Sequence, residues 1–174
     1  MQIESMVLGG GCFWCLEASY QLINGVKRVL PGYAGGHTTN PSYYDVAGGH
    51  TGHAEVVRVE FDTSRISLND ILDVFWAIHD PTTPKRQGND VGPEYRSIIL
   101  YSNEDQKQTV QTSLEAIRSL WPDPIVTEVK KLDIFYEAEP EHHNFFQQHP
   151  EMAYCQVVIN PKLQKLRKKY ANLL

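Results

Sequence analysis

Three consecutive glycines, Gly9-Gly10-Gly11, separate a short apolar run from an apolar-periodic segment, and no other stretch constrains this chain as strongly. Met6-Val7-Leu8 leads in and Cys12-Phe13-Trp14-Cys15-Leu16 leads out. The pattern reads as a strand, a tight turn and a helix, with Cys12 at the helix start. The first turn of a helix has unpaired N–H groups and a partial positive charge, which favour a thiolate over a thiol. The thiolate is the nucleophile, so Cys12 is a candidate catalytic group. Phe13 and Trp14 stand beside it. A polar redox loop does not need two such rings, whereas a pocket for a small apolar group does. The plain alternative is a buried, inert cysteine.

The spacing predicts strands over 3–8, 26–33, 55–61, 94–101 and 126–136. It predicts helices over 12–23, 67–79, 103–120 and 139–148, with Ser67 and Asn103 as caps. In the third strand Val57, Val59 and Phe61 share one face, and Val56, Arg58 and Glu60 share the other. Between them lie a Gly- and His-rich loop, 34–53, and a Pro- and Gly-rich loop, 80–93. Irregular loops of that length inside a compact domain are usually functional or disordered. The tail from about residue 150 carries Cys155 and a basic stretch ending near Lys169. The expected fold is α+β: one domain over 1–174, a two-layer α/β sandwich with a mixed central sheet, equivalent to a ferredoxin-like core with additions. A nucleotide-binding doubly wound fold is not expected, because no Gly-x-Gly-x-x-Gly follows a strand.

With 16 basic and 21 acidic residues the net charge is -5, which gives no electrostatic case for nucleic acid. No apolar run approaches a membrane span, and the N-terminus lacks the pattern of a signal peptide. The expectation is a cytoplasmic monomer. Three cysteines, Cys12, Cys15 and Cys155, are too few and odd in number for a structural disulfide framework.

Cys12-x-x-Cys15 has three readings: a redox pair, half of a zinc site with His50 and His53, or a second thiol that merely packs. Glu55 falls in the phase of Val57, Val59 and Phe61. It is either solvated at an open strand mouth or held near an apolar pocket with a raised pKa, available as a general acid. Tyr43, Tyr44, Tyr95 and Asp90 cluster near loop mouths, where phenols can form a hydrogen-bonding site or remain surface aromatics. His142, His143, His149 and the basic tail receive no role.

Taken in order, Gly11-Cys12-Phe13-Trp14, Gly32-Tyr33-Ala34-Gly35-Gly36, Asn40-Pro41-Ser42-Tyr43, Thr51-Gly52-His53-Ala54-Glu55, Gln87-Gly88-Asn89-Asp90 and Tyr95-Arg96-Ser97 resemble the A-type peptide methionine sulfoxide reductases. The resemblance spans about 5–155. It implies that Cys12 attacks the sulfoxide sulfur, that Glu55 protonates the departing oxygen, and that Tyr43 and Tyr95 hydrogen-bond that oxygen with Asp90 nearby. Phe13 and Trp14 would hold the substrate's S-methyl group. The implied substrates are oxidised proteins or free methionine S-sulfoxide. There would be no cofactor or metal, and thioredoxin would reduce an intramolecular disulfide. The family's resolving cysteines lie near the C-terminus, which points to Cys155, with Cys15 as competitor. Two readings from other classes stand beside this one: a general disulfide oxidoreductase and a zinc-binding interaction module.

Overall fold

A computed structural model describes residues 2–174. The chain runs β1 (Ile3–Gly9), α1 (Phe13–Gln21), β2 (Val26–Ala34), α2 (Tyr43–Ala47), β3 (Ala54–Asp62) and α3 (Leu68–Ile78). It continues with β4 (Arg86–Gln87), β5 (Asp90–Val91), β6 (Ile98–Tyr101), α4 (Glu104–Ile117), β7 (Glu128–Lys131), β8 (Tyr136–Glu137), α5 (Phe145–Gln148) and α6 (Asn160–Lys169). A π-helical turn, Cys155–Ile159, leads directly into α6.

Six strands form one sheet in the order β7-β6-β1-β3-β2-β8, and β4-β5 form a separate hairpin. All neighbours in the large sheet are antiparallel except β6 and β7, so the sheet is mixed, as expected. Met6, Leu8, Val57, Val59 and Phe61 share one core with Phe13, Leu16 and Tyr20 of α1 and with Ile71, Leu72 and Phe75 of α3. Each such side chain, fully buried, contributes about 1.5–3 kcal/mol of transfer free energy. Ser67 caps α3 through a reciprocal capping box with Asp70, and Asn103 caps α4 by accepting from the Gln106 N–H.

The other sheet face differs from the half-solvated face implied by the alternation in β3. Val7, Ala34, Ala54, Val56, Ile98 and Leu100 are buried there, with Leu132 and Phe135 packed over them. The chain between β7 and β8 thus covers the second face. That is why the long strand expected over 126–136 is two short ones. Glu128–Lys131 pairs with β6, and Tyr136–Glu137 pairs with β2 at the opposite edge. Residues 93–95 form a 3-10 turn, so the strand expected from 94 begins at Ile98. The region expected as one helix over 139–148 is a 3-10 turn at Pro140–His142 followed by α5.

Candidate active site

The glycine turn delivers Cys12 to the start of α1. Gly11 adopts φ +92, a conformation that side chains rarely take, and its N–H donates to the Tyr95 carbonyl at 3.1 Å. Cys12 is the extended N-cap residue, and its carbonyl accepts the Cys15 N–H at 3.1 Å. The side chain is only 8% exposed. Burial pushes the Cys12 thiol well up, helped by its hydrogen bond with Cys15 and by the Glu55 carboxyl. The helix start is therefore not the dominant influence: desolvation outweighs it, and the resting side chain is a thiol.

Glu55 faces the same place from β3. Its Oε1 accepts the Phe13 N–H at 3.1 Å, so it touches the residue next to Cys12. Burial drives its pKa up to about 8, and the nearby Glu94 and Asp90 charges add to this. The bond from Phe13 pulls the other way but does not win. At neutral pH this carboxyl keeps its proton. The solvated alternative is excluded by its 2% exposure.

The 34–53 loop is not irregular throughout. Ser42 and Asp45 form a capping box that starts α2, and Tyr43 is its first residue. The Tyr43 N–H donates to Glu139 Oε2 at 2.8 Å, while Glu139 Oε1 accepts the Tyr33 hydroxyl at 2.8 Å. At Gly36 an added Cβ would lie 2.2 Å from the His53 backbone nitrogen, so only glycine lets the two ends of the loop approach. Arg96 ties this loop to the next one: its Nη2 donates to Gly52 and its Nη1 to Pro93, both at 2.8 Å. Tyr95 is thereby held beside the glycine turn. Burial, then the Glu55 charge, raises the Tyr43 phenol to about 12 and the Tyr95 phenol further. Both remain proton donors at any physiological pH. Asp90, in the β4-β5 hairpin, accepts the Tyr154 hydroxyl at 2.8 Å.

Phe13 and Trp14 take different positions. Phe13 is fully buried against Tyr33, Tyr43 and His142, at ring-centroid distances of 5.7, 6.4 and 5.3 Å. Trp14 is partly exposed. Its ring lies flat on Phe145, 3.7 Å away with planes 3° apart, and its Nε1 donates to His142 Nδ1 at 3.2 Å. The stack contributes about 0.5–1.5 kcal/mol beyond its buried area. Trp14→Ala removes an apolar wall, and the expected result is a fall in kcat/KM of at least about tenfold for a thioether-sized substrate. Steady-state kinetics checks it, and unchanged values would make the ring purely structural.

His142, Glu139, Phe145 and Tyr154 belong to this site, yet no sequence pattern singled them out. They lie in a polar-looking stretch whose contacts with α1 and β2 are more than a hundred residues apart in sequence. The doubled His142-His143 was visible, but only tertiary packing distinguishes the two.

The whole chain from residue 4 to 174 matches the family model for peptide methionine sulfoxide reductase. The chain belongs to the peptide methionine sulfoxide reductases. A peptide methionine sulfoxide reductase MsrA of Paenarthrobacter aurescens is 53% identical over 169 residues, 97% of each chain. One from Saccharolobus solfataricus is 51% identical over 168 residues, 97% of this chain and 95% of its own. Among solved structures, reduced Mxr1 of Saccharomyces cerevisiae superposes with a TM-score of 0.84 at 31% identity, covering 88% of this chain and 90% of its own. Methionine sulfoxide reductase A of Corynebacterium diphtheriae gives 0.78 at 31%, covering 85% and 76%. Mxr1 has also been solved in complex with Trx2, and that form shares the fold at 23% identity and a TM-score of 0.60. The chain is thus an enzyme that reduces peptide methionine sulfoxide.

In this reductase the other two cysteines differ sharply. The resemblance points to Cys155, near the C-terminus, as the resolving thiol. The structure shows helix there, and Cys155 is 0% exposed in the π-helical turn, packed in the main core with Ile159 and Leu163. Burial raises its thiol pKa. Cys15, one turn along α1, bonds to the Cys12 thiol, and that bond lowers its pKa to about 7 despite burial, with Lys162 assisting.

The reductase uses both ring nitrogens of His53 for its own loop. Nδ1 accepts the Gly36 N–H at 3.0 Å, so Nε2 carries the proton to the Thr38 carbonyl at 2.7 Å. That leaves no lone pair for the zinc reading with Cys12 and Cys15. Glu139, Glu141 and His142 do bring ligand atoms within 4.8 Å of one another. Glu139 is occupied by Tyr33 and Tyr43, and His142 Nδ1 by Trp14. Among the described residues, no helix is long and apolar enough to cross a membrane.

Proposed function

We propose that this enzyme reduces the S-epimer of methionine sulfoxide, free or in proteins, through a sulfenic acid on Cys12. The observation that carries the reading is the buried Glu55 carboxyl, bonded to the residue beside Cys12 and with its pKa pushed up by that burial. A sulfoxide oxygen is a poor leaving group until it is protonated. Glu55 supplies that proton, and Tyr43 and Tyr95 donate hydrogen bonds to the oxygen. Trp14 and Phe13 with its aromatic neighbours enclose the methyl group. As Glu55 gives its proton to the oxygen, its carboxylate takes up the proton of the attacking Cys12 thiol, so Glu55 ends the step protonated and Cys15 stays a thiol. The balance is one thiol and one sulfoxide in, one sulfenic acid and one thioether out. The substrate sulfur gains two electrons and Cys12 loses them.

Cys15 then resolves the sulfenic acid. An S–S bond forms between Cys12 and Cys15, the S–O bond breaks, and the oxygen leaves as water with the Cys15 proton. A soluble dithiol protein of the thioredoxin class reduces the disulfide by thiol–disulfide exchange, which returns both thiols without a cofactor. The place of Cys15 three residues from Cys12 at the start of α1, the burial of Cys155 in the core and the lowered Cys15 pKa support this choice over Cys155.

A fixed acid and a fixed methyl pocket accept one hand of a chiral sulfur. Assayed separately with dithiothreitol, the S-epimer of a blocked methionine sulfoxide is expected to yield thioether and the R-epimer none. Equal turnover of both would sink the reading. In the thioredoxin-coupled assay, Cys15→Ser is expected to release about one methionine per enzyme and then stall, whereas Cys155→Ser keeps turning over. A stalled Cys155→Ser and an active Cys15→Ser would transfer the resolving role to Cys155.

A further inference from the structure

Tyr154 is the residue that the reaction as described leaves unused, although it touches the site on three sides. Its hydroxyl donates to Asp90 Oδ2 at 2.8 Å and lies 3.5 Å from Cys15 Sγ. Its ring stands edge-on to Trp14, with centroids 5.9 Å apart and planes at 81°. It is the residue immediately before the π-helical turn. Such turns shift the register of a helix by about one residue and often occur at functional sites. Here the shift has a specific result: Cys155 is turned into the core while the neighbouring Tyr154 hydroxyl reaches Cys15. Tyr154 also lines a cavity of about 640 Å³, with His79, Asp80, Gln87, Asp90, Trp121 and Lys162 among its walls.

We propose that Tyr154 is a positioning residue for disulfide formation, holding the Cys15 sulfur against Cys12 through its hydroxyl while Asp90 fixes that hydroxyl. The inference rests on the reading of Cys15 as the resolving thiol. A phenol has one proton and here two acceptors. While the proton points to Asp90, the phenol oxygen accepts from the Cys15 thiol and keeps its side chain turned toward Cys12. When Asp90 is engaged elsewhere, the proton turns to the Cys15 sulfur and favours its thiolate. Either arrangement restrains the side chain, and a restrained nucleophile reacts faster than one that samples several rotamers. The other groups that act on Cys15 are Cys12 on its own helix, Glu55 from β3, Asp90 from the hairpin, Lys162 from α6, and Cys155 beside Tyr154.

The test is Tyr154→Phe, which keeps the ring and its contact with Trp14 and deletes only the hydroxyl. Two rates are measured in single turnover on blocked methionine S-sulfoxide. The first is thioether release; the second is loss of sulfenic acid, trapped with a dimedone-type probe, against the appearance of the Cys12–Cys15 disulfide by mass spectrometry. The expected result is a ratio of second to first rate lowered by about tenfold. The pH profile of the second step should also move to higher pH, because a donor to the Cys15 thiolate is lost. Equal slowing of both steps, or an unchanged ratio and profile, would overturn the proposal. Cys15→Ser in the same assay separates the two claims: if it still forms a disulfide with Cys155 and turns over with thioredoxin, the resolving assignment itself has failed. If Cys15→Ser stalls and Tyr154→Phe does not change the ratio, only the positioning role has failed.

Discussion

Cys12→Ser is expected to lose methionine sulfoxide reduction by on the order of a thousandfold or more, down to background. A hydroxyl is a far weaker nucleophile than a thiol sulfur at neutral pH. Serine also cannot take up the sulfoxide oxygen, since the product would be a peroxide and not a sulfenic acid. The substitution is small, and Cys12 caps α1 with its backbone and not with its side chain, so the fold should be unaffected. Serine at an N-cap is if anything favourable. Thioether release from blocked methionine S-sulfoxide with dithiothreitol checks the result. Residual turnover well above background would mean that Cys15 can attack in its place, and Cys12→Ser with Cys15→Ser would then show which sulfur reacts.

Glu55→Gln is the second large effect. The amide keeps the shape and can still accept the Phe13 N–H, but it has no acidic proton to give. General acid catalysis is typically worth roughly a hundred- to ten-thousand-fold, and sulfenic acid formation is expected to slow within that range. The pH dependence gives an independent check. With its pKa near 8, the carboxyl loses its proton as pH rises through that value, so the wild-type first step should decline there. The variant should lack that limb. Stability follows the same group with a defined sign. Unfolded, the carboxyl titrates near 4.5; folded, it titrates near 8. Between these values the folded state holds a proton that the unfolded state lacks, so its stabilising contribution is full below 4.5 and is lost as pH rises to about 8. His79 opposes this at the acid end. It is buried and neutral, with its pKa depressed to about 4, and the resulting loss of stability on acidification falls between 6.5 and 4. From about 6.5 to 8 His79 no longer contributes, and Cys15, whose pKa is lowered to about 7, stabilises both proteins alike as pH rises, so the thermal midpoint of Glu55→Gln relative to that of the wild type should rise over that interval. Parallel melting curves for the two proteins would show that Glu55 is already ionised at neutral pH.

Most of the strand and helix order was legible because it rests on local patterns. The alternation 55–61, the capping box at Ser67 and Asp70, and the glycine turn before Cys12 each act over a few residues, where sterics and hydrogen bonding leave few alternatives. The α+β architecture with a mixed sheet follows from that order. Stretches with weak local signals were misread. The segment 126–136 looks like one strand because Val126, Val129, Ile134 and Phe135 have strand composition. Pairing with β6 at one sheet edge and with β2 at the other divides it, and neither partner is near in sequence.

The site divides the same way. Cys12 is singled out by the glycine turn before it; Glu55, Tyr43, Tyr95 and Asp90 are named by the resemblance, since strand phase and loop position alone leave each of them between a site residue and a surface one. Their protonation states could not be read in the same way. The helix start favours a Cys12 thiolate, whereas burial, with Cys15 and Glu55 beside it, pushes its pKa up. Desolvation depends on everything packed around a group, which no short stretch of sequence specifies. The same holds for the choice between Cys15 and Cys155. In sequence, Cys155 lies in a basic tail and Cys15 sits in a helix, which suggests a mobile thiol and a fixed one. The tertiary structure buries Cys155 in a π-helical turn and places the Tyr154 hydroxyl beside Cys15, because helix register and core packing, and not sequence position, decide what surrounds each sulfur.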